Sequence, residues 1–172
     1  AARLLLELGH TRFALLNGPD EFDFAIRRRI GTLEALTEKG ITLDPAAMRH
    51  TAMTDEAGFR GMSELLERPE RPTAVLCAST VLALGAVRAI NRAGLKLGED
   101  ISLIAHDDVL PLLKPENFTV PLTTTRSSLR AAGIRIAQRL IAAIKRSEPQ
   151  PPAHELWGAD LVIRASTGPA PR

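Results

Sequence analysis

The sequence predicts an α/β fold, a doubly wound parallel sheet with helices on both faces. Two short apolar runs without polar alternation, Thr73–Ala78 (TAVLCA) and Ile101–Ala105 (ISLIA), read as strands buried on both sides. Stretches with helical spacing of apolar residues separate the strand-like runs. The connections are long enough to return each strand parallel to the last, and right-handed crossovers then cover both sheet faces.

Taken in order, residues 1–8 (AARLLLEL) read as the tail of a helix that stops at Gly9. The chain therefore reads as part of something longer. Arg12–Asn17 is a strand ended by Gly18-Pro19. From Phe22 to Lys39, Ile26, Ile30, Leu33 and Leu36 mark one helix face before Gly40. After the Asp44-Pro45 turn comes a weak strand, Arg49–Met53. Phe59, Met62, Leu65 and Leu66 make an amphipathic helix that stops ahead of Pro69. Leu82, Ala86, Val87 and Ile90 lie on one face of the helix after Thr73–Ala78, and Gly94 ends it. Beyond Ile101–Ala105 the pattern changes. Pro111, Pro115 and Pro121 precede the extended Leu122-Thr123-Thr124, and Arg126–Lys145 is a long amphipathic helix with Leu129, Gly133, Ile136, Ala137, Leu140 and Ile144 on one side. A polar, proline-bearing linker (Ser147–Pro152) leads to a last strand around Leu161-Val162-Ile163. The chain thus leaves its first domain and returns.

Composition is that of a soluble globular protein, 45% hydrophobic, 24% charged and 3% aromatic, with a net charge of +2. So small a charge does not by itself indicate nucleic acid. The lone Cys77 excludes an internal disulfide and a cysteine-based zinc site. No apolar run reaches membrane-spanning length, so no membrane partner is expected. We find no nucleophile motif, phosphate-binding glycine loop or third metal ligand, so neither catalysis, a metal nor a cofactor is expected. An acid–base or magnesium site on His106, Asp107 and Asp108 is the enzymatic alternative.

His106-Asp107-Asp108 stands where Ile101–Ala105 leaves the sheet, and open α/β sheets bind ligands at the carboxyl ends of their strands. Successive side chains point apart, so one acid of the pair faces a ligand and the other caps the following turn. Arg27-Arg28-Arg29 is a run of the kind that makes a solvated helix face. Phased by Ile26 and Ile30 on the core side, at most one of the three arginines enters a cleft. His10 reads as a turn residue and Trp157 as packing or a hinge wedge.

Several segments together resemble the ligand-binding core of the lac repressor (LacI/GalR) family of bacterial transcription regulators. They are Leu8-Gly9-His10 with Arg12-Phe13-Ala14; Arg28-Arg29-Ile30-Gly31 with Glu34-Ala35-Leu36; and Pro72-Thr73-Ala74-Val75 with Leu82-Ala83-Leu84-Gly85. Asp100-Ile101-Ser102-Leu103-Ile104 with Asp107-Asp108, Pro121-Leu122-Thr123-Thr124, and Leu161 through Thr167 complete the set. The resemblance implies two lobes joined by crossovers, with a small effector in the cleft between them. Residues 1–120 would form the C-terminal lobe. Residues 121–148 would be a crossover and a helix belonging to a largely absent N-terminal lobe, and 149–172 the return crossover and last strand. That helix's apolar side would lack its cover, so it is expected to fold onto a second chain or be displaced.

The resemblance further implies that Arg28 and Asp107 hold the effector. A guanidinium fork spans two neighbouring oxygens and a carboxylate accepts hydroxyl donors, which suits a carbohydrate, and the resemblance implies a sugar or glucoside. Ser79 stands at a ligand-contacting position where the family carries Asn. Phe22 and Met53, at strand ends, would also face the cleft, Phe22 stacking on a sugar ring. Operator DNA would be bound by an absent N-terminal helix-turn-helix, in a cytoplasmic homodimer. Dimerisation would use helices such as Leu82–Ala93, with small Ala83, Gly85 and Ala86 allowing close approach. A periplasmic sugar-binding protein serving a transporter is the alternative with the same fold.

Overall fold

The computed structural model describes residues 1–107, 109–145 and 154–171. The expected architecture is present. Helix α1 (Ala2–Glu7) leads into β1 (Phe13–Asn17), α2 (Asp23–Thr37), β2 (Met48–His50), α3 (Asp55–Leu66), β3 (Ala74–Cys77), α4 (Thr80–Arg92) and β4 (Ser102–His106). Then come β5 (Thr123–Arg126), α5 (Leu129–Ile144) and β6 (Asp160–Val162). The strands lie in the order β2-β1-β3-β4-β5-β6. β1 to β5 are parallel, and β6 is antiparallel to β5.

Every residue of β1 and β3 is buried, as the unbroken apolar runs require of strands covered on both faces. The chain passes from β1 through α2 to one side, and from β2 and β3 through α3 and α4 to the other. With right-handed crossovers, α1 and α2 cover one face and α3 and α4 the opposite one. Side-chain caps start the helices where the sequence changes period. Thr54 Oγ1 accepts from Ala57 N–H, and Asp55 and Glu56 occupy the first turn of α3, where the helix dipole favours acids. Gly94, at φ 73°, closes α4 in the left-handed conformation expected of a helix stop.

Two packing expectations are corrected. Ile30 is half-exposed, and the buried stripe of α2 is Ala25, Thr32, Ala35 and Leu36. Small residues seat the helix close to the sheet and leave the larger isoleucine on its flank. Likewise, Ala83, Gly85 and Ala86 of α4 are buried within the chain rather than offered to a second copy. A Cβ built on Gly85 would lie 1.9 Å from the Asp55 carbonyl oxygen, and one on Gly58 2.1 Å from that of Leu82. The small residues bring α4 against α3.

Helix α5 departs from the rest. Capped by Ser128 Oγ on Ala131 N–H, it has no buried residue, and Ile144 at its end is 74% exposed. Its contacts include Arg135 and Arg139, both paired at 3.0 Å with Glu155. The Arg135 hydrogen bond, with Arg139 adding to it, holds the Glu155 carboxyl below its ordinary range. Trp157, expected as packing or a hinge wedge, is 44% exposed. The linker Ser147–Pro152 lies outside the described residues.

At the amino ends of the strands the returning chain acts as a clamp. Ser166 Oγ donates to Leu103 O (2.6 Å) and accepts from Thr123 N–H (2.8 Å), bridging β4 and β5. His10 is corrected from turn residue to buried clamp. Its Nδ1 lies 2.9 Å from Thr73 Oγ1, and its Nε2 lies 3.0 Å from Ser102 Oγ and 3.1 Å from Gly168 O. A carbonyl only accepts, so Nε2 carries the proton and Nδ1 accepts from Thr73. Burial lowers the His10 pKa below its ordinary 6.5, against the smaller opposing pull of the Gly168 carbonyl. The unfolded chain therefore takes up a proton before the folded one does. Stability from this site is complete above the unfolded value and is lost as pH falls through the depressed folded value. Melting temperatures taken from about pH 7.5 to about pH 5.5 should fall more steeply for the wild type than for His10→Gln. Parallel curves would refute this role.

Candidate ligand-binding site

The chain turns one way after β1 and the other way after β3, so the carboxyl ends of these two strands flank a topological switch point. Arg28 spans it. From the second turn of α2 its Nη1 donates to Ala78 O at the end of β3 (2.7 Å), and its guanidinium lies 5.0 Å from the centre of the Phe24 ring. The neighbouring arginines are turned elsewhere, as helical phasing requires. Arg27 Nε donates to Asp23 (2.7 Å) and Arg29 lies 3.9 Å from Asp20.

Arg28 is also on the wall of a cavity of about 220 Å³ on the α2 face of the sheet. Leu15, Leu76 and Ile104 give it an apolar floor, and Asn17, Thr32 and His106 add polar groups. An apolar hollow with a few convergent polar groups is the usual form of a small-molecule site. Of the five residues singled out from sequence, Arg28 alone lines it.

Phe22, the N-cap of α2, and Met53, three residues beyond β2, do not line it. Phe22 is 49% exposed and stacks on Phe24 with ring centres 5.7 Å apart and planes 11° from parallel. Gly18 makes room there, since a Cβ would meet the Phe24 ring at 2.8 Å and Met53 Sδ at 3.2 Å. Met53 is half-buried against the core cluster.

Ser79 and Asp107 have local partners. Ser79 Oγ accepts from Leu82 N–H (3.0 Å), which makes this residue the N-cap of α4, and its side chain is buried. The Asp107 carboxylate is 5% exposed. Its Oδ1 accepts from Val109 N–H (2.8 Å), and its Oδ2 lies 3.7 Å from Arg126 Nε. The turn-capping role expected of the pair's other member thus falls to Asp107 itself, while Asp108 lies outside the described residues.

Asn17 was not anticipated as a site residue. It is fully buried at the last position of β1, and its Nδ2 donates to Ala25 O (2.8 Å), pinning the first turn of α2 to the sheet. That contact helps set the base from which Arg28 reaches across. Its signal in the sequence was an Asn closing an otherwise apolar strand.

The periplasmic binding protein-like domain model matches residues 2–167. The chain belongs to the periplasmic binding protein-like domain family. Within it, the likeness is to LacI-family regulators. The chain is 68% identical over 171 residues to the HTH-type transcriptional regulator AglR of Rhizobium meliloti (strain 1021), covering 99% of this chain and 48% of that protein. It is 35% identical over 171 residues to the HTH-type transcriptional repressor CytR of Escherichia coli (strain K12), covering 99% and 49%. Among solved structures, the transcriptional regulator CelR–cellobiose complex superposes with a TM-score of 0.88 at 28% identity, over 96% of this chain and 50% of that one. The lac repressor dimer bound to operator and the anti-inducer ONPF gives 0.85 at 32% identity, over 97% and 57%. The periplasmic binding protein-like chain thus spans about half the length of the relatives it matches, and those relatives are regulators, not enzymes.

Proposed function

We propose that this domain is the effector-binding part of a DNA-binding transcriptional regulator, taking a carbohydrate at the carboxyl ends of β1, β3 and β4. The observation that carries the reading is Arg28 lodged across the switch point, donating to Ala78 O beside the Phe22–Phe24 stack. A planar cation and aromatic faces meeting at one strand-end crevice suit a polyhydroxylated ring. In this reading Asp107 adds an acceptor, Met53 and Phe22 form the outer wall, and Ser79 acts through its backbone or a bridging water.

Residues 1–120 and 149–172 build one lobe, and 121–148 carry the chain into a second lobe and back. The uncovered α5 supports that division, because a capped helix of sixteen residues with an apolar side has a cover elsewhere in the whole protein. Operator DNA would be bound by a separate head in a cytoplasmic homodimer, with effector-driven lobe closure changing the spacing of paired heads. The regulator character of the relatives speaks against the transport alternative.

The test is calorimetry on the full-length protein with glucose, maltose and cellobiose, followed by operator binding with and without the sugar that binds. Binding of one sugar, and a changed DNA affinity in its presence, is the expected result. If no carbohydrate or nucleoside alters DNA affinity, the reading fails.

A further inference from the structure

The corner holding Asp107 is tied to both chain crossovers. Asp107 N–H donates to Thr125 O (2.9 Å), and His106 Nδ1 shares a hydrogen bond with Thr125 Oγ1 (3.1 Å). The next residue, Arg126, ends β5 where the chain leaves for α5, and its Cα pairs with Asp160 at the start of returning β6. The outgoing and incoming chains meet at this residue. Its guanidinium, on a half-exposed side chain, is the cation that faces the almost fully buried Asp107 carboxylate, with Nε 3.7 Å from Oδ2.

A carboxylate removed from water requires a compensating donor or cation. Here the two oxygens are served differently. Val109 N–H holds Oδ1 at 2.8 Å, whereas Oδ2 faces Arg126 at a distance longer than a formed charge-assisted bond. Each carboxylate oxygen has two acceptor directions, so Oδ2 can take a sugar hydroxyl while remaining beside the guanidinium.

We propose that Arg126 is a positioning residue for ligand binding, whose guanidinium holds the Asp107 carboxylate ready for a carbohydrate hydroxyl and links it to the two crossovers. This rests on the reading of Asp107 as a ligand contact. Because the cation stands on the crossover, a shift of α5 relative to the sheet changes its distance from Asp107. Ligand binding and lobe position are then coupled through one ion pair.

The experiment is a double-mutant cycle on the full-length protein, with whichever of glucose, maltose and cellobiose binds the wild type most tightly. Arg126→Gln is expected to weaken binding about tenfold, within the range of coupling between neighbouring side chains, because the Asp107 carboxylate loses the cation that faces it. Arg126→Lys should restore most of that loss, which a folding defect would not allow. Asp107→Asn should also weaken binding, and adding Arg126→Gln to it should change nothing further. Wild-type affinity in Arg126→Gln would overturn the proposal. So would an undiminished Arg126→Gln effect in the Asp107→Asn background, since Arg126 would then act on the sugar directly. If Asp107→Asn weakens binding and Arg126→Gln does not, only this inference falls. If the wild type binds none of the sugars, or Asp107→Asn binds normally, the underlying site reading falls with it.

Discussion

Replacing Gly85 with alanine is expected to destabilise the domain by about 3 kcal/mol, the upper range for overpacking a tight contact. The added methyl would sit 1.9 Å from Asp55 O and 2.5 Å from Phe59 N, both backbone atoms of α3. No rotamer change relieves a clash with backbone, so α3 and α4 have to move apart. That separation would disturb buried Ala83 and Ala86 and draw the Arg88 and Arg92 guanidinium groups off the Phe59 ring, from which they lie 5.1 and 5.6 Å. Domains of this size hold only about 5–15 kcal/mol in total, so the melting temperature should drop by many degrees. The same change at Gly133 serves as the control. A Cβ there meets nothing within 4 Å, and the exposed helix α5 should gain roughly 0.5–1 kcal/mol of intrinsic stability. Thermal melts followed by circular dichroism would separate the two. Equal and small shifts would mean that the α3–α4 approach is not tight.

The same residues show how far the sequence could be read. The doubly wound sheet was legible because a strand buried on both faces advertises itself as an unbroken apolar run, as in Thr73–Ala78 and Ile101–Ala105. The helical period of α5 was equally plain, while the expectation that its apolar side lacks a cover came from the family resemblance. Periodicity shows which face of an element is apolar, but not which surface covers it. The family resemblance assigned Ala83, Gly85 and Ala86 to a second chain, whereas Gly85 meets α3 and Ala83 and Ala86 are buried within the chain. Polar residues at strand ends carry a related ambiguity. Ser79 caps α4 with the hydroxyl that a ligand contact would need, and Asp107 serves a turn and an arginine. His10 looked like part of a turn because its partners Thr73, Ser102 and Gly168 are far away in sequence. For Arg28, helical phase shows only that at most one of Arg27, Arg28 and Arg29 enters a cleft, and the family resemblance is what points to Arg28.

Replacing Arg28 with lysine is expected to weaken sugar binding by about ten- to a hundredfold, corresponding to roughly 1.5–3 kcal/mol for hydrogen bonds to a charged group. The charge is kept, so what is lost is geometry. The Arg28 guanidinium donates from Nη1 to Ala78 O and lies over Phe24, and a planar fork held in that way can present further N–H groups at fixed angles to vicinal hydroxyls. An ammonium on a flexible stem reproduces neither the plane nor the fork. Stability should change less than affinity, because the bond from Nη1 to Ala78 O is only partly buried. Calorimetric titration of wild type and Arg28→Lys, with melting curves of both, tests the two halves together. Unchanged affinity in a folded Arg28→Lys protein would move the binding site away from the switch point. A matched fall in affinity and melting temperature would make Arg28 a strut between α2 and β3 rather than a ligand contact. Lost affinity with a conserved melting temperature would place the ligand where α2, β1 and β3 converge.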